Sequence, residues 1–306
     1  MDTSTKKSTK RHAWFAALLA LLMPGLGQLY CGAVVRCFWL LALTSAAGIL
    51  GVLALVPGVH LSGGLVVSCY ALSLAVYAIG IFDAFFLARR TRTDYEPKDY
   101  NRWYAYVLLA MAVSAGHVFA ALYVRDNWLT PFKIPTASMY PTIWQGDQFF
   151  ADRAAYRDKD PAVGDIVVFQ NPDDRRQYFI KRVVALGGDR VEIRDGAVYI
   201  NDRELRREEI PAPAPRPERM GGPGKYFYEF NRGASYRILL TAPANSRLRN
   251  FPPTTVPRHH CFVLGDNRDD SLDSRSYGAI PTASIIGRAD FIYALRENWS
   301  RFGRLR

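Results

Sequence analysis

The sequence predicts a membrane-anchored chain in two parts, an apolar α-helical N-terminal region followed by a mostly-β domain. Three observations predict it. No Asp, Glu, Lys or Arg occurs from Cys37 through Phe82, and the stretches Ala13–Val35 and Tyr104–Val124 are uncharged as well. A helix that crosses a bilayer needs about 20 apolar residues in succession. Basic residues crowd the edges of these stretches: Lys6, Lys7, Lys10 and Arg11 before the first, Arg89, Arg90 and Arg92 before the last. The second half instead alternates short runs of β-branched and aromatic residues with turn residues, which is the pattern of strands. These features exclude a purely soluble chain, and the aromatic and β-branched content excludes a disordered one.

The elements follow in order. Residues 1–12 form a basic tail, and the loop 89–103 is also basic, so both belong on the cytoplasmic side. An even number of crossings must then separate them. Spans at about 37–57 and 64–88, joined by a turn over Pro57–Gly64, supply two. Residues 13–35, interrupted by Pro24-Gly25 and Gly27, fit either a plain span or a re-entrant segment that leaves on the side it entered, and the charges favour the re-entrant one. Three later apolar stretches argue against a cleavable leader at this position. A last span at about 104–124 completes a membrane region over 13–124 and places residues 125–306 outside the cytoplasm. Asp83 and His117 are read as polar groups satisfied by neighbours or by the interface.

Within 125–306 the strands read as Asp165–Phe169, Tyr178–Leu186, Val191–Arg194, Ala197–Ile200, Cys261–Leu264 and Arg288–Tyr293. Asp195-Gly196 between two of them is a hairpin turn. Pro211–Gly224, rich in Pro and Gly, reads as a loop. Trp144, Phe149 and Phe150 are candidates either for the membrane interface or for the core. The formal net charge is +11. Its clustering beside apolar stretches fits anionic lipid, and no nucleic-acid-binding module is visible, so no nucleic acid is expected as a partner. Cys261 is the only cysteine of the polar half, which leaves no disulfide within it, and no spacing points to zinc. No metal or other cofactor is expected.

Chemistry needs a nucleophile and a base. Ser138 lies in Ile134-Pro135-Thr136-Ala137-Ser138-Met139-Tyr140-Pro141-Thr142, where two prolines stiffen an apolar turn. His259 and His260 are adjacent, so on a strand they face opposite ways. Lys181 lies inside Tyr178-Phe179-Ile180-Lys181-Arg182-Val183-Val184, and on a strand it shares a face with Phe179 and Val183. Such a lysine is either an edge residue reaching water or a buried amine whose pKa falls from about 10.4 to near 7–8. The run Gly265-Asp266-Asn267-Arg268-Asp269-Asp270-Ser271-Leu272-Asp273-Ser274-Arg275-Ser276-Tyr277-Gly278 lacks EF-hand spacing. It can instead fold back as a hydrogen-bonded wall, with Ser271 at the lysine amine and Asp273 paired to Arg275 behind it.

In this order, these pieces resemble bacterial type I signal peptidase, the membrane-bound Ser–Lys leader peptidase. Pro135–Thr142 is similar to its nucleophile box, Gly164–Phe169 to its next strand box, Ile180–Asp189 to its lysine box and Gly265–Arg275 with Gly278 to its last box. The resemblance covers about 125–200 and 256–293, by motifs that are specific as an ordered set. It implies a mostly-β catalytic domain of the signal peptidase type, with Ser138 as nucleophile and Lys181 as general base. Thr136 matches the hydroxyl that joins the Ser138 N–H in the oxyanion hole; Ser271 matches the serine that orients the lysine; Asp273 and Arg275 match the supporting ion pair. Ala185 and Gly187 depart from the family's usual Gly and Pro. Residues 202–255 match poorly and are expected to form a variable cap or insertion. Residues 1–103 hold more apolar sequence than the usual anchors, and Pro24–Tyr30 is similar to motifs of small two-span membrane proteins.

The resemblance therefore implies a serine endopeptidase that cleaves N-terminal signal peptides from exported precursors, after small residues at the first and third positions before the cut. Ile134 and Pro135 are candidates for the substrate pockets. The expected setting is the bacterial inner membrane, multi-pass, with the catalytic domain on the periplasmic side and lipid and precursors as partners. The alternatives are a specialised Ser–Lys protease maturing a pilin or conjugation protein, and a catalytically inactive membrane-anchored binding module.

Overall fold

The computed structural model describes residues 10–53, 63–91, 95–172, 174–212, 224–241, 246–294 and 303–305. The chain divides into two compact units, Met1–Leu122 and Tyr123–Arg306.

The first unit is helical. Its helices are α1 (Ala13–Leu22), α2 (Leu26–Tyr30), α3 (Val34–Leu53), α4 (Gly63–Arg90) and the start of α5 (Trp103–Asn127). Pro24-Gly25 breaks the first apolar stretch, and Gly25 takes φ +92°, which only glycine adopts freely. α2 is completely buried. Gln28 donates to the Gly80 carbonyl at 2.7 Å and to Asp83 at 3.1 Å, while Arg36 pairs with Asp83 at 2.8 Å. His117 Nδ1 lies 2.8 Å from the Val113 carbonyl. Asp83 and His117 thus both have neighbouring partners. Large apolar side chains such as Trp39, Leu74, Phe82 and Phe119 face outward. Ser68–Arg90 and Trp103–Asn127 are long and apolar enough to cross a membrane, each holding an 18-residue stretch with a mean hydropathy of 2.0. The expected turn over Pro57–Gly64 and the tail up to residue 9 fall largely outside the described residues.

The second unit is mostly β. Its strands in chain order are β1 (Leu129–Lys133), β2 (Gln148–Asp152), β3 (Ile166–Gln170), β4 (Tyr178–Leu186), β5 (Arg190–Arg194), β6 (Ala197–Ile200), β7 (Arg203–Glu204), β8 (Arg206–Ile210), β9 (Gly224–Asn231), β10 (Ala234–Thr241), β11 (Phe251–Thr255), β12 (His260–Leu264), β13 (Ile280–Pro281), β14 (Ile285–Ala294) and β15 (Gly303–Arg304). The main sheet has 8 strands in the order β1-β2-β14-β3-β4-β12-β13, with β15 added to β14. β11-β5-β6-β7 form a second sheet and β10-β9-β8 a third. Asp195-Gly196 makes the hairpin between β5 and β6, with positive φ at both residues as that turn requires.

Much of the stretch expected as a variable insertion is regular: β9 and β10 pair antiparallel from Asn231↔Ala234 to Gly224↔Thr241. Of the Pro/Gly-rich loop, residues 213–223 lie outside the described residues. Among the interface candidates, Trp144 and Phe149 are core residues. Trp144 is buried with Tyr140, Tyr226 and Leu239, and Phe149 with Ile134, Met139 and Ile143. Their indole and phenyl rings fill the space between the serine turn and the sheet, so the interface reading fails for both. Phe150 is half-buried and stacks on Tyr293 at 4.2 Å.

Candidate active site

The turn after β1 is fastened at both ends. Ile134, Met139 and Ile143 sink into one cluster with Phe149, Ile166, Val168 and Ile180. The Tyr140 N–H donates to the Ala137 carbonyl at 3.0 Å, and the Thr142 and Ile143 N–H groups converge on the Met139 carbonyl at 3.0 and 2.9 Å. Ser138 stands between these anchors, 8% exposed. Burying the apolar residues on either side therefore fixes where the hydroxyl points.

Lys181 approaches from β4. That strand lies between β3 and β12, with Val167 opposite Lys181 on one side and Val263 opposite Val183 on the other. An edge-strand lysine reaching water is thus excluded by the topology. Lys181 is 4% exposed. Its Nζ is 2.9 Å from Ser138 Oγ, in hydrogen-bond contact, and donates to the Ile180 carbonyl at 2.8 Å. The amine also lies 5.7 Å from the Phe179 ring centroid. Burial drives its pKa down from 10.5 to about 8; Asp273 and then Asp266 oppose the fall, and Arg275 adds to it. Near neutral pH a usable fraction of such an amine is unprotonated, with a lone pair that can take the proton of a hydroxyl 2.9 Å away.

Thr136 is exposed, and its Oγ1 donates to Ser138 Oγ at 3.3 Å. The Ser138 N–H has no acceptor among the described residues. Asp273 and Arg275 form the expected pair, at 2.7 Å between Oδ2 and Nη2 and 2.8 Å between Oδ1 and Nε. Asp273 is fully buried and also accepts from the Gly265 N–H at 3.0 Å. Ser271 corrects the sequence expectation. Its hydroxyl is buried but makes no hydrogen bond among the described residues, and none to Lys181. The amine curls back onto the carbonyl of its own strand neighbour, Ile180, instead. Ser271 Oγ occupies the space where a Cβ on residue 265 would sit, and that Cβ would also come within 2.6 Å of the Ser138 carbonyl oxygen. Only glycine at 265 lets the wall close this tightly. Pro135 is exposed, and Ile134 beside it in sequence is buried in the core.

Sequence reasoning passed over Arg182. On the face opposite Lys181 it is buried and forks onto Asp266, Nε to Oδ1 at 2.8 Å and Nη2 to Oδ2 at 2.7 Å. Thr142 donates to the same carboxylate at 2.5 Å. A guanidinium inside an apolar strand requires a counter-charge, and that was the available signal. His259 and His260 have no bond to the Ser138 turn, and His260 Nδ1 sits against the Arg258 carbonyl at 2.9 Å. Among the described residues no cluster of His, Cys, Asp or Glu could hold a metal ion.

Residues 102–294 match the family described as signal peptidase, peptidase S26, and the chain belongs to it. It is a serine endopeptidase that cleaves signal peptides. Its relatives in that family include signal peptidase I enzymes. It is 32% identical over 203 residues to signal peptidase I of Rickettsia typhi, covering 56% of this chain and 75% of the relative. It is 34% identical over 190 residues to the probable signal peptidase I-1 of Synechocystis, covering 60% and 80%. It is 32% identical over 205 residues to the chloroplastic thylakoidal processing peptidase 1 of Arabidopsis thaliana, covering 62% and 51%. A crystal structure of a signal peptidase I from Enterococcus faecalis is 28% identical and covers 42% of this chain and 97% of that one, with a TM-score of 0.25.

Proposed function

We propose that the enzyme works through a Ser138–Lys181 dyad and cuts precursors after small residues at the first and third positions before the scissile bond. The observation that carries this reading is the 2.9 Å approach of a buried amine, held near a pKa of 8, to a buried hydroxyl on a rigid turn. Unprotonated Lys181 takes the Ser138 proton as Oγ bonds to the scissile carbonyl carbon. Negative charge gathers on the carbonyl oxygen, where the Ser138 N–H and the Thr136 hydroxyl act as donors; each such donor is worth about 3–4 kcal/mol of barrier. The Lys181 ammonium then gives its proton to the leaving amine. Neutral Lys181 next takes a proton from water as its oxygen attacks the acyl-enzyme carbonyl, and returns that proton to Ser138 Oγ as the ester bond breaks. Asp273 and Arg275 hold the wall behind the amine. Ser271 packs against Gly265 and keeps that wall close to Ser138. Pro135 and Ile134 line the pockets for small side chains.

The same reading anchors the chain in the bacterial inner membrane by several passes. Arg89 and Arg90, in the last turn of α4, and the basic tail mark the cytoplasmic side. The outward-facing apolar residues of α3, α4 and α5 meet lipid, and the β domain works outside the cytoplasm on exported precursors. The test is incubation of the detergent-solubilised full chain, wild type and Ser138→Ala, with a purified precursor, followed by N-terminal sequencing of the product. Cleavage behind an Ala-x-Ala-like site by the wild type alone supports the dyad; equal cleavage by Ser138→Ala removes it.

A further inference from the structure

The hairpin β9–β10 does more than cap the domain. Glu229 of β9 is completely buried. Arg268, itself 3% exposed, grips it with both ends of its guanidinium, Nη1 to Oε2 at 3.0 Å and Nη2 to Oε1 at 2.5 Å. Tyr236 of β10 donates to Glu229 Oε1 at 3.0 Å, and its ring lies under the Arg182 guanidinium at 4.5 Å. The hairpin also pairs with the wall through its backbone. The Leu239 N–H donates to the Asp266 carbonyl at 2.8 Å, and the Arg268 N–H donates to the Leu239 carbonyl at 3.0 Å. Between these two bonds sits Asn267, whose N–H donates to the Ser138 carbonyl at 3.1 Å. Its Nδ2 reaches the Ala137 carbonyl at 3.4 Å.

A buried carboxylate is tolerated only when paired and hydrogen-bonded, and a fork onto arginine fixes direction as well as charge. The Glu229–Arg268 pair therefore sets where residue 268 stands, and residue 267 beside it holds the peptide that carries Ser138. The Tyr236 ring joins this pair to Arg182, the residue that follows Lys181. One buried group on the hairpin thus reaches both halves of the dyad.

We propose that Glu229 is a positioning residue for the nucleophile: through Arg268 and the Asn267 N–H it holds the Ser138 peptide at the distance at which its hydroxyl meets Lys181. The inference rests on the dyad reading above. Because reaction rates depend on sub-ångström placement of the attacking atom, loosening this support should act on the chemical step and leave precursor binding alone.

The experiment compares full-length wild type, Glu229→Gln and Tyr236→Phe in detergent, with the folded fraction fixed by circular dichroism and the active fraction counted by a serine-directed acylating reagent. The expected result for Glu229→Gln is a fall of at least tenfold in kcat per active site, with KM within twofold of wild type. Tyr236→Phe, which keeps the ring but removes the hydrogen bond, is expected to show the same split at roughly threefold. A folded Glu229→Gln with wild-type kcat, or one in which only KM rises, overturns the proposal. If Glu229→Gln does not fold, the neutral pair Glu229→Gln with Arg268→Gln carries the same test. It removes the buried charges and keeps hydrogen-bonding amides at both positions, with some loss of volume at 268, and wild-type kcat in that protein also overturns the proposal. A Ser138→Ala control separates the two claims. Turnover in Ser138→Ala sinks the dyad whatever Glu229 does, whereas a dead Ser138→Ala beside a fully active Glu229→Gln sinks only the positioning role.

Discussion

Replacing Lys181 by methionine should make the protein more stable while making it inactive, and the gain should depend on pH in a defined way. The amine is 4% exposed and its pKa stands at about 8 in place of 10.5. Keeping it charged in the fold therefore costs about 3 kcal/mol relative to the unfolded chain. Below pH 8 both states carry the proton, and the wild type bears this cost in full. Between pH 8 and 10.5 the unfolded chain holds more protons than the folded one, so wild-type stability rises with pH across that window. Above it, the cost is gone. Lys181→Met has no such group and a similar volume. All other titrations are shared, so the difference between the two proteins isolates this one. Urea unfolding of the detergent-solubilised full chain, followed by fluorescence at several pH values from 7 to 10.5, measures it. The wild type should gain about 3 kcal/mol on the variant over the window. Parallel curves at all pH values would refute the claim that the amine is desolvated.

Two further variants probe the surroundings. Thr136→Val removes the hydroxyl 3.3 Å from Ser138 Oγ and should lower kcat by about 10²–10³ with little change in KM, as steady-state precursor cleavage would show. Asp266→Asn leaves the buried Arg182 guanidinium without its counter-charge and should destabilise the fold by about 3–5 kcal/mol, read as a lower urea midpoint.

The parts of the site legible in the sequence were those fixed by neighbours along the chain. β4 was bounded correctly at Tyr178–Leu186, and its alternation put Lys181 on the face of Phe179 and Val183. The stiff Pro135–Pro141 turn marked Ser138. The features that the sequence does not display depend on distant partners. Arg182 finds Asp266 84 positions away, and Arg268 finds Glu229 39 positions away; periodicity cannot announce either pairing. β8 does not read as a strand because Arg206, Arg207, Glu208 and Glu209 look like a solvated run, yet two of them lie over aromatic rings of β9, Arg206 on Phe230 and Arg207 on Phe227. β11 contains Pro252 and Pro253, which argue against a strand; both are exposed, and the register against β5 shifts between Phe251 and Thr254 to accommodate them. Trp144 was ambiguous because an indole suits an interface as well as a core. Its Nε1–H finds the Pro141 carbonyl at 3.2 Å, which makes burial affordable.

The most direct measurement is single-turnover cleavage of a precursor by the wild-type enzyme across pH 6 to 10. An unprotonated Lys181 acting on Ser138 predicts a rate that climbs about tenfold per pH step on the acid side and levels off near pH 8. A rate that is flat across this range, or one still climbing at pH 10, would mean that the base is not this buried amine.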